Sequence, residues 1–234
     1  MDNIIKKFSK LNVAVIGDVS LDHFILGEID RLNPENPAAP LLKKTDEYFR
    51  LGCAANVAAN TSSLFAKTTL FGLIGNDEAA KNLIAECKKS KINSFLYEEG
   101  ATIVKQRVIE KKRYHNVGRI DYGETNLESI SEKVTRQILE ELEKLSPNVI
   151  ILSDYNKRIF KGNLASKIIS WANSRNIITF CDPKPENAEK FRESTIISPN
   201  LLEAQKISQV HDKDIEKIIE KINSKYIVIT LGNE

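Results

Sequence analysis

The chain has 234 residues, of which 41% are hydrophobic and 28% charged, with 34 Lys and Arg and 32 Asp and Glu. A protein of this size and composition builds a substantial core without disulfides or a structural metal, so we expect one large domain. The net charge of +2, with both signs interspersed, leaves no basic stripe for nucleic acid, and no segment approaches the roughly 20 apolar residues of a membrane span. We therefore expect a cytoplasmic protein without nucleic-acid or membrane partners.

The spacing of cysteine and histidine gives no sign of a disulfide framework or a zinc site. Cys53, Cys87 and Cys181 are odd in number and far apart in the chain. The three histidines form no pairs at ligand spacing. Neither disulfides nor a structural metal are expected.

The first segments predict a buried strand followed by a small β lid. Residues 12–16 form an apolar, β-rich run that ends at Gly17 and Asp18, which is typical of a parallel strand. Residues 20–29 and 39–43 are two further candidate strands. The stretch between them is punctuated by prolines and cannot continue a helix or a central strand, so we interpret the region as a lid.

From residue 52 onward, helices and strands alternate around one hairpin. The hairpin spans 102–121 and, with residues 20–44, completes the predicted lid within a single domain over 1–234. The predicted helices are 52–66, 77–90, 131–145, 161–174, 200–207 and 212–223. The predicted strands of the main sheet after the first are 68–74, 94–97, 148–152, 177–181, 195–197 and 225–230. Such alternation predicts an α/β fold whose parallel sheet is covered on both faces.

Polar residues follow several predicted strands, at the edge where open α/β sheets bind ligands. Asp18 follows the first strand, and the groups 153–155, 182–184, 198–200 and 230–232 follow four others. Each group alone is equally explained by a helix cap or a turn. Together they favour a crevice for a polyhydroxylated or phosphorylated ligand, with helix N-termini available for phosphate.

Common nucleotide-binding and hydrolase motifs are absent. The sequence has no Gly-x-x-x-x-Gly-Lys-Ser/Thr, and Gly72 with Gly75 does not complete Gly-x-Gly-x-x-Gly. There is no Gly-x-Ser-x-Gly elbow, and no histidine ends a predicted strand. A P-loop, a dinucleotide site and a Ser-His-Asp hydrolase are therefore not supported.

Seven segments, taken in order, resemble the ribokinase-like (PfkB) sugar kinases. They are Val-Ile-Gly-Asp (15–18), Leu21-Asp22, Arg-Leu-Asn-Pro-Glu-Asn-Pro-Ala-Ala-Pro (31–40), Gly-Cys-Ala-Ala-Asn-Val-Ala (52–58), Ser-Asp-Tyr (153–155), Asp-Pro-Lys (182–184) and Ser-Pro-Asn-Leu-Leu-Glu (198–203). Within that family they are most similar to the heptose 7-phosphate kinase domain of ADP-heptose synthesis. The resemblance runs from about residue 12 to the end. It implies a ribokinase-like α/β fold, a parallel-sheet sandwich with a small β lid.

The resemblance also implies a set of substrate-binding residues. The candidates are Asp18, Asp22, Gly52, Asn56, Arg107, Arg119 and Asp154. Carboxylate and amide groups would hold sugar hydroxyls, since an amide both donates and accepts hydrogen bonds. The hairpin arginines would bind a substrate phosphate, although exposed strand arginines without a role fit the same pattern. Asn56 equally fits a helix residue that faces solvent.

ATP and Mg²⁺ are the cofactors that the resemblance implies. The candidates to bind them are Lys184, Asn200, Glu203, Thr230 and Gly232, with Glu203 as the metal ligand. Lys184 and the turn at 230–232 would give the ATP phosphates cationic and backbone N–H partners. Asn200 and Glu203 match an Asn-x-x-Glu motif that orders magnesium and phosphate, and they equally fit a helix N-cap with its capping-box glutamate.

The chain departs from the family pattern at three places. Cys53 follows Gly52 where the family has a second glycine, and Arg158 follows Lys157 where the family has glycine. The family's Gly-x-Gly-Asp segment, which supplies the anion hole and the catalytic base, would lie beyond residue 234. We therefore expect a domain truncated on its C-terminal side, with no catalytic base in these residues and little turnover alone.

The resemblance implies that the full-length form is an ATP-dependent kinase for the anomeric hydroxyl of D-glycero-D-manno-heptose 7-phosphate, in ADP-heptose and lipopolysaccharide precursor synthesis. A PfkB kinase for another sugar or sugar phosphate stays open, and so does a truncated, non-catalytic sugar-binding module. Phe24, Ile25 and Leu41 would be poorly buried in an isolated lid. We therefore also expect a homodimer that forms through the lid.

Overall fold

The computed structural model describes residues 2–125, 129–209, 216–217 and 224–232, which contain one seven-stranded and one four-stranded sheet. The strands are β1 (Asn12–Gly17), β2 (Val19–Leu32), β3 (Pro40–Cys53), β4 (Lys67–Ile74), β5 (Asn93–Glu98), β6 (Ile103–Glu110), β7 (His115–Tyr122), β8 (Val149–Ser153), β9 (Ile178–Asp182), β10 (Ile196–Ile197) and β11 (Tyr226–Ile227). The helices are α1 (Asp2–Phe8), α2 (Ala54–Ser63), α3 (Glu78–Lys89), α4 (Glu132–Leu145), α5 (Leu164–Asn173), α6 (Leu201–Ser208) and a 3-10 helix (Pro185–Phe191).

The seven-stranded main sheet is parallel, with strand order β11-β10-β9-β8-β1-β4-β5. β1 lies between β8 and β4, and its apolar run is buried on both faces. Val13 and Val15 pack in a cluster with α2 and α3, whereas Ala14 and Ile16 pack in a cluster with α4 and α5. This alternation follows from the two-residue period of a strand. The predicted α/β fold, with helices on both faces of a parallel sheet, is confirmed.

The four-stranded sheet, which we call the lid, has strand order β3-β2-β6-β7. β2 pairs antiparallel with β3 and parallel with β6, and β6 pairs antiparallel with β7. The register places Asp22 opposite Arg50 and Lys105, and two residues further along it places Arg107 opposite Arg119. Side chains at such positions lie on one face of a sheet. This charged face is the inner face of the lid.

Four connections join the lid to the main sheet. The chain crosses at Asp18, at Cys53, over residues 99–102 and after Tyr122. The first and third crossings follow the carboxyl ends of β1 and β5. The lid therefore stands at the carboxyl edge of the main sheet, where α/β proteins bind ligands.

The lid strands are longer than the sequence pattern suggests. β2 and β3 extend well beyond 20–29 and 39–43, because their pairing continues from Val19 with Cys53 to Leu32 with Pro40. Residues 43–48 are mostly polar and exposed, so they carry no apolar alternation that would mark a strand. The predicted helix over 52–66 was wrong at its start, because β3 continues through Cys53 and α2 begins at Ala54.

The C-terminal elements also differ from the prediction. β11 has two residues and lies at the edge of the described sheet, rather than forming a central strand over 225–230, although Thr230 makes an isolated parallel bridge to Asn200. The predicted helix at 212–223 lies outside the described residues except at 216–217. No helix in the described ranges is long and apolar enough to cross a membrane. All three cysteines are buried free thiols.

Candidate active site

Asp18, between β1 and β2, is a buried structural acceptor. Its side chain is only 3% exposed. Oδ2 accepts the backbone N–H groups of Tyr155 and Lys157 at 3.1 and 3.0 Å, and Oδ1 accepts those of Arg158 and Ile159 at 2.9 and 3.1 Å. A carboxylate has about four acceptor positions, so these bonds use all of them. Asp18 fixes loop 155–159 to the end of β1. No acceptor position of Asp18 remains for the predicted hydrogen bond from a sugar hydroxyl.

Asp154, after β8, has a similar environment. It is 1% exposed, Oδ1 accepts the backbone N–H of Asn156 at 2.7 Å, and Oδ2 accepts the backbone N–H of Lys184 and the Asn187 amide, both at 3.0 Å. Burial raises the pKa of this carboxyl, and the three hydrogen bonds oppose that effect. Asp154 thereby fixes the turn after β8 to the start of the 3-10 helix.

Asp22, on the inner face of the lid, has acceptor capacity to spare. Its Oδ2 pairs with Nη1 of Arg107 at 2.9 Å, while its Oδ1 is buried without any hydrogen-bond partner in the described part of the chain. A buried carboxylate oxygen without a partner is rare in folded proteins and indicates a missing donor. Of the predicted sugar ligands, Asp22 is the one whose geometry points to a bound hydroxyl.

Gly52 makes room for this carboxylate. A Cβ atom at Gly52 would lie 2.3 Å from Ser20 Oγ and 2.6 Å from Asp22 Oδ1, closer than real contacts allow. Glycine at this position therefore leaves the space in which Asp22 and Ser20 sit. Asn56 lies one turn further, in the first turn of α2, where it is exposed. Its predicted role as a sugar ligand stays a prediction.

A lysine that sequence reasoning missed lies in the same site. Nζ of Lys105 is 3.1 Å from Sγ of Cys53 and 5.5 Å from the centre of the Tyr155 ring. The hydroxyl of Ser20 donates to the same sulfur at 3.2 Å. Lys105 precedes Arg107 by two residues on one strand, so strand alternation alone would have placed both cations on one face.

The arginines of the lid surround Asp22. Arg107 stacks its guanidinium over the Phe24 ring at 5.2 Å, in addition to its ion pair with Asp22. Arg119 lies opposite Arg107 in register, but both of its hydrogen bonds go to Asp121, at 2.8 and 2.9 Å. Arg50 was not predicted. It lies opposite Asp22, with its guanidinium over aromatic rings of the lid. Its presence increases the positive charge of this face.

On the other side of the carboxyl edge, the predicted nucleotide residues line one cavity of about 300 Å³. Its lining residues are Phe180, Asp182, Lys184, Ser198, Asn200, Glu203 and Thr230. Nζ of Lys184 binds Oε1 of Glu203 at 2.5 Å. Gly232 follows two residues after Thr230, with a positive φ of 71°. The structure thus brings four of the five predicted cofactor residues to one cavity, and the fifth follows Thr230 in sequence.

Asn200 and Glu203 form the capping box that the sequence offered as an alternative. Oδ1 of Asn200 accepts the N–H of Glu203 at 2.9 Å, and Oε2 of Glu203 accepts the N–H of Asn200 at 3.1 Å. The cap uses one oxygen of Glu203, and the other oxygen binds Lys184. The capping role of Asn200 and Glu203 is therefore confirmed, and the cap occupies only one of the two carboxylate oxygens of Glu203.

The charges in this cavity shift the pKa values of its groups. Burial, together with the nearby carboxylates of Glu203 and Asp154, raises the pKa of Asp182, and Lys184 opposes the shift. Burial alone would lower the pKa of Lys184, but its hydrogen bond to Glu203, together with the charges of Glu203 and Asp182, outweighs that effect and raises the pKa. Lys184 is therefore a protonated cation in the cavity at the carboxyl ends of the strands.

The donor set fits Mg²⁺ bound jointly with a phosphate ligand. In the described residues, no three His, Cys, Asp or Glu side chains gather as a complete metal site. Mg²⁺ usually needs only one or two protein carboxylates, because water and substrate phosphates complete its octahedron. Glu203 and Asp182, both lining the cavity, supply carboxylates of that kind.

Comparison with known proteins agrees with this architecture. The model of the pfkB family carbohydrate kinases matches residues 10–234. A bifunctional protein HldE of Psychromonas ingrahamii is 37% identical over 213 residues, which cover 86% of this chain and 41% of that protein. The corresponding protein of Haemophilus influenzae is 34% identical over 219 residues, which cover 92% of this chain and 44% of that protein. The chain thus spans somewhat less than half the length of these relatives.

Solved structures show the same fold at low sequence identity. The tetrameric inhibited form of phosphofructokinase-2 from Escherichia coli superposes with a TM-score of 0.73 at 17% identity, covering 95% of this chain and 74% of that one. Arabidopsis thaliana ribokinase, complexed with ribose and ATP, superposes with a TM-score of 0.62 at 14% identity, covering 95% and 72%. The ribokinase-like fold predicted from the sequence is therefore confirmed, and the chain belongs to the PfkB family of carbohydrate kinases.

Proposed function

We propose that this chain is the sugar-binding part of a kinase that transfers the ATP γ-phosphate to the anomeric hydroxyl of D-glycero-D-manno-heptose 7-phosphate. The product would be the 1,7-bisphosphate, a precursor of ADP-heptose and of the lipopolysaccharide core. The family match, the relatives named HldE and the sequence resemblance to heptose 7-phosphate kinases support this proposal. The observation that carries it is Asp22 Oδ1, which has no hydrogen-bond partner among the described residues and lies beside the arginines of the lid.

The sugar would lie between the inner face of the lid and the start of α2. Asp22 Oδ1 accepts a hydrogen bond from a sugar hydroxyl, and Gly52 leaves the space that this carboxylate occupies. Asn56, exposed in the first helical turn, donates to or accepts from a neighbouring hydroxyl. Asp18 and Asp154 act on the sugar indirectly, because their acceptor positions fix the loops that border the site.

The phosphate of the substrate would bind to the cations of the lid. Arg107 and Arg119 are neighbours across β6 and β7, and Lys105 lies on the same face. A phosphate dianion attracts planar guanidinium groups through paired hydrogen bonds, which lysine alone cannot provide. Binding requires Arg119 to exchange Asp121 for the phosphate, an exchange between partners that are both partly exposed.

ATP and Mg²⁺ would occupy the cavity at the strand ends. Lys184 and the N–H groups of the turn around Gly232 would hold phosphate oxygens, with Asn200 and Thr230 as neighbours. Glu203 would hold Mg²⁺, exchanging Lys184 for the metal. When bound, Mg²⁺ supplies charge neutralisation for the transferring phosphoryl group.

A second copy of the chain is the proposed partner of the lid. Large apolar side chains on the lid remain exposed in one copy, among them Leu32 at 61%, Leu41 at 37% and Ile120 at 54%. Pairing of two lids would bury such surface. Light scattering at high protein concentration should report a dimer, and a monomer at every concentration would refute this part of the proposal.

Calorimetric titration of the chain with heptose 7-phosphate tests the proposed function. We expect binding that weakens at least about tenfold in Arg107→Gln, because a charged hydrogen bond contributes about 1.5–3 kcal/mol. Arg175→Gln is the matched control, since Arg175 pairs with Glu143 away from the lid. Tighter binding of another sugar phosphate would favour the alternative substrate, and equal binding by wild type and Arg107→Gln would refute the phosphate site.

A further inference from the structure

Loop 155–159, between β8 and α5, contacts three of the four connections between the main sheet and the lid. Its backbone N–H groups bind Asp18 at the first crossing. Nζ of Lys157 pairs with Glu124, which follows β7, at 2.6 Å. The guanidinium of Arg158 reaches the connection over residues 99–102. We call the four connections the base of the lid. One short loop therefore contacts most of this base.

Arg158 is the largest buried side chain of this loop. It is 2% exposed, and its Nη1 donates to the carbonyl oxygens of Glu99 and Ala101 at 2.9 and 2.7 Å. Its Nη2 donates to the carbonyl oxygen of Leu73, at the end of β4, at 3.1 Å. In the described chain it forms no ion pair with a carboxylate. Its acceptors are three backbone carbonyls, one near the end of β4 and two in the connection over 99–102, and the hydroxyl of Thr125 at 3.4 Å. A planar fork with several donors suits such a set, and an ammonium does not.

The connection that Arg158 contacts is also fixed from its other side. Oδ2 of Asp77 accepts the N–H of Thr102 at 2.8 Å, and Oγ1 of Thr102 accepts the N–H of Gly75 at 2.9 Å. Gly100 has a positive φ of 84°, and a Cβ there would lie 2.9 Å from Nη1 of Arg158. The segment 99–102 is therefore held between a carboxylate and a guanidinium, with no room for a larger residue at its turn.

We propose that Arg158 is a positioning residue that fixes the base of the lid against loop 155–159, and so sets where Asp22 and Arg107 stand above the carboxyl edge. Its hydrogen bonds go to the lid connections and to one backbone carbonyl near the end of β4, and in the described chain none goes to a side chain of the main core. Removing it should therefore loosen the lid while leaving the main sheet folded.

Hydrogen–deuterium exchange of the unliganded chain tests this inference. We compare wild type with Arg158→Met and Arg158→Lys, and with Arg175→Met, which removes an exposed arginine from α5's C-terminal end. In Arg158→Met we expect amides of β6 and β7 to exchange at least about tenfold faster, with β8 and β9 within about twofold of wild type. The exchange rates of Arg158→Lys should lie between those of wild type and Arg158→Met, because lysine keeps the charge but lacks the planar set of donors. Arg175→Met should change neither sheet.

Three results would overturn the inference. Unchanged exchange in β6 and β7 of a folded Arg158→Met protein would show that the guanidinium does not fix the lid. Equal acceleration in both sheets would assign Arg158 to global stability instead. Failure of both Arg158 variants to fold would assign the same global role.

The effect on substrate binding rests on the proposed function, and it is measured separately. Arg158→Gly should weaken heptose 7-phosphate binding about tenfold, and added methylguanidinium should restore it by occupying the vacated site, whereas methylammonium should not. Absence of rescue in a variant whose lid exchanges faster would contradict the link to the substrate. If the wild-type chain binds no heptose 7-phosphate, the proposed function fails, while the exchange experiment still decides the role of Arg158.

Discussion

The carboxyl edge of the main sheet and the inner face of the lid use aspartate in opposite ways. At the edge, Asp18 and Asp154 are buried and their oxygens accept four and three hydrogen bonds. On the lid, one oxygen of Asp22 lies beside a cluster of cations and has no hydrogen-bond partner in the part of the chain that the structure describes. Motif position alone does not separate these cases, because Asp18 and Asp22 both belong to the segment that resembles sugar kinases. The difference lies in how many backbone N–H groups converge on each carboxylate.

The contrast predicts that Asp18 determines stability and Asp22 does not. Asp18→Ala leaves four backbone N–H groups without an acceptor, two of them buried and two partly buried, so we expect a loss of about 3–5 kcal/mol in the free energy of unfolding. Asp22→Ala removes one partly exposed ion pair, so its cost should stay below about 1 kcal/mol. Urea denaturation of both variants measures the two values, and equal losses would remove the contrast.

Ligand affinity should show the reverse order. Asp22→Ala should weaken heptose 7-phosphate binding by about 10- to 100-fold, as expected for losing a charged hydrogen bond. Lys184→Met, on the nucleotide side, should leave that affinity within about twofold while weakening ATP binding about tenfold. Calorimetry with heptose 7-phosphate and with ATP measures both effects. A variant that weakens the binding of both ligands alike would show that the lid and the cavity around Lys184 are not separate sites.

A smaller effect should follow from filling the space under Asp22. Gly52→Ala forces Ser20 Oγ and Asp22 Oδ1 to move, and crowding of this kind costs about 1–3 kcal/mol. We expect roughly tenfold weaker sugar binding. Gly118→Ala is the matched control on the same sheet, because a Cβ there meets no atom within 4 Å. If both glycine variants bind the sugar equally well, Asp22 is not constrained as described.

The smallest predicted effect concerns pH. Burial would raise the pKa of Asp77, but its hydrogen bonds from Thr102 and Ala80 outweigh this and hold the pKa below its usual value of 3.8. A depressed carboxyl pKa stabilises the fold above the unfolded pKa, and that contribution is lost as the pH falls through the folded pKa. Stability should therefore decline in acid, below about pH 4. Asp77→Asn, which retains an N-cap side chain, should flatten this decline, and an identical acid profile would contradict it.

The main sheet could be predicted from the sequence more accurately than the candidate site. Apolar β-rich runs give its described strands other than β11 to within a residue or two, because burial on both faces leaves a continuous signal in the sequence. The long lid strands lack that signal where residues 43–48 are exposed. Loop contacts such as the four N–H groups on Asp18, and the burial of Arg158, depend on the three-dimensional arrangement of segments more than 50 residues apart. No local pattern in the sequence marks them.

A crystal structure of the chain with heptose 7-phosphate tests the central assignment most directly. We expect a sugar hydroxyl at hydrogen-bond distance, about 2.5–3.0 Å, from Asp22 Oδ1, with the phosphate on Arg107 and Arg119 and the Asp18 loop unchanged. A sugar bound to Asp18 with loop 155–159 displaced, or bound away from the lid altogether, would contradict the division between structural and ligand-binding carboxylates.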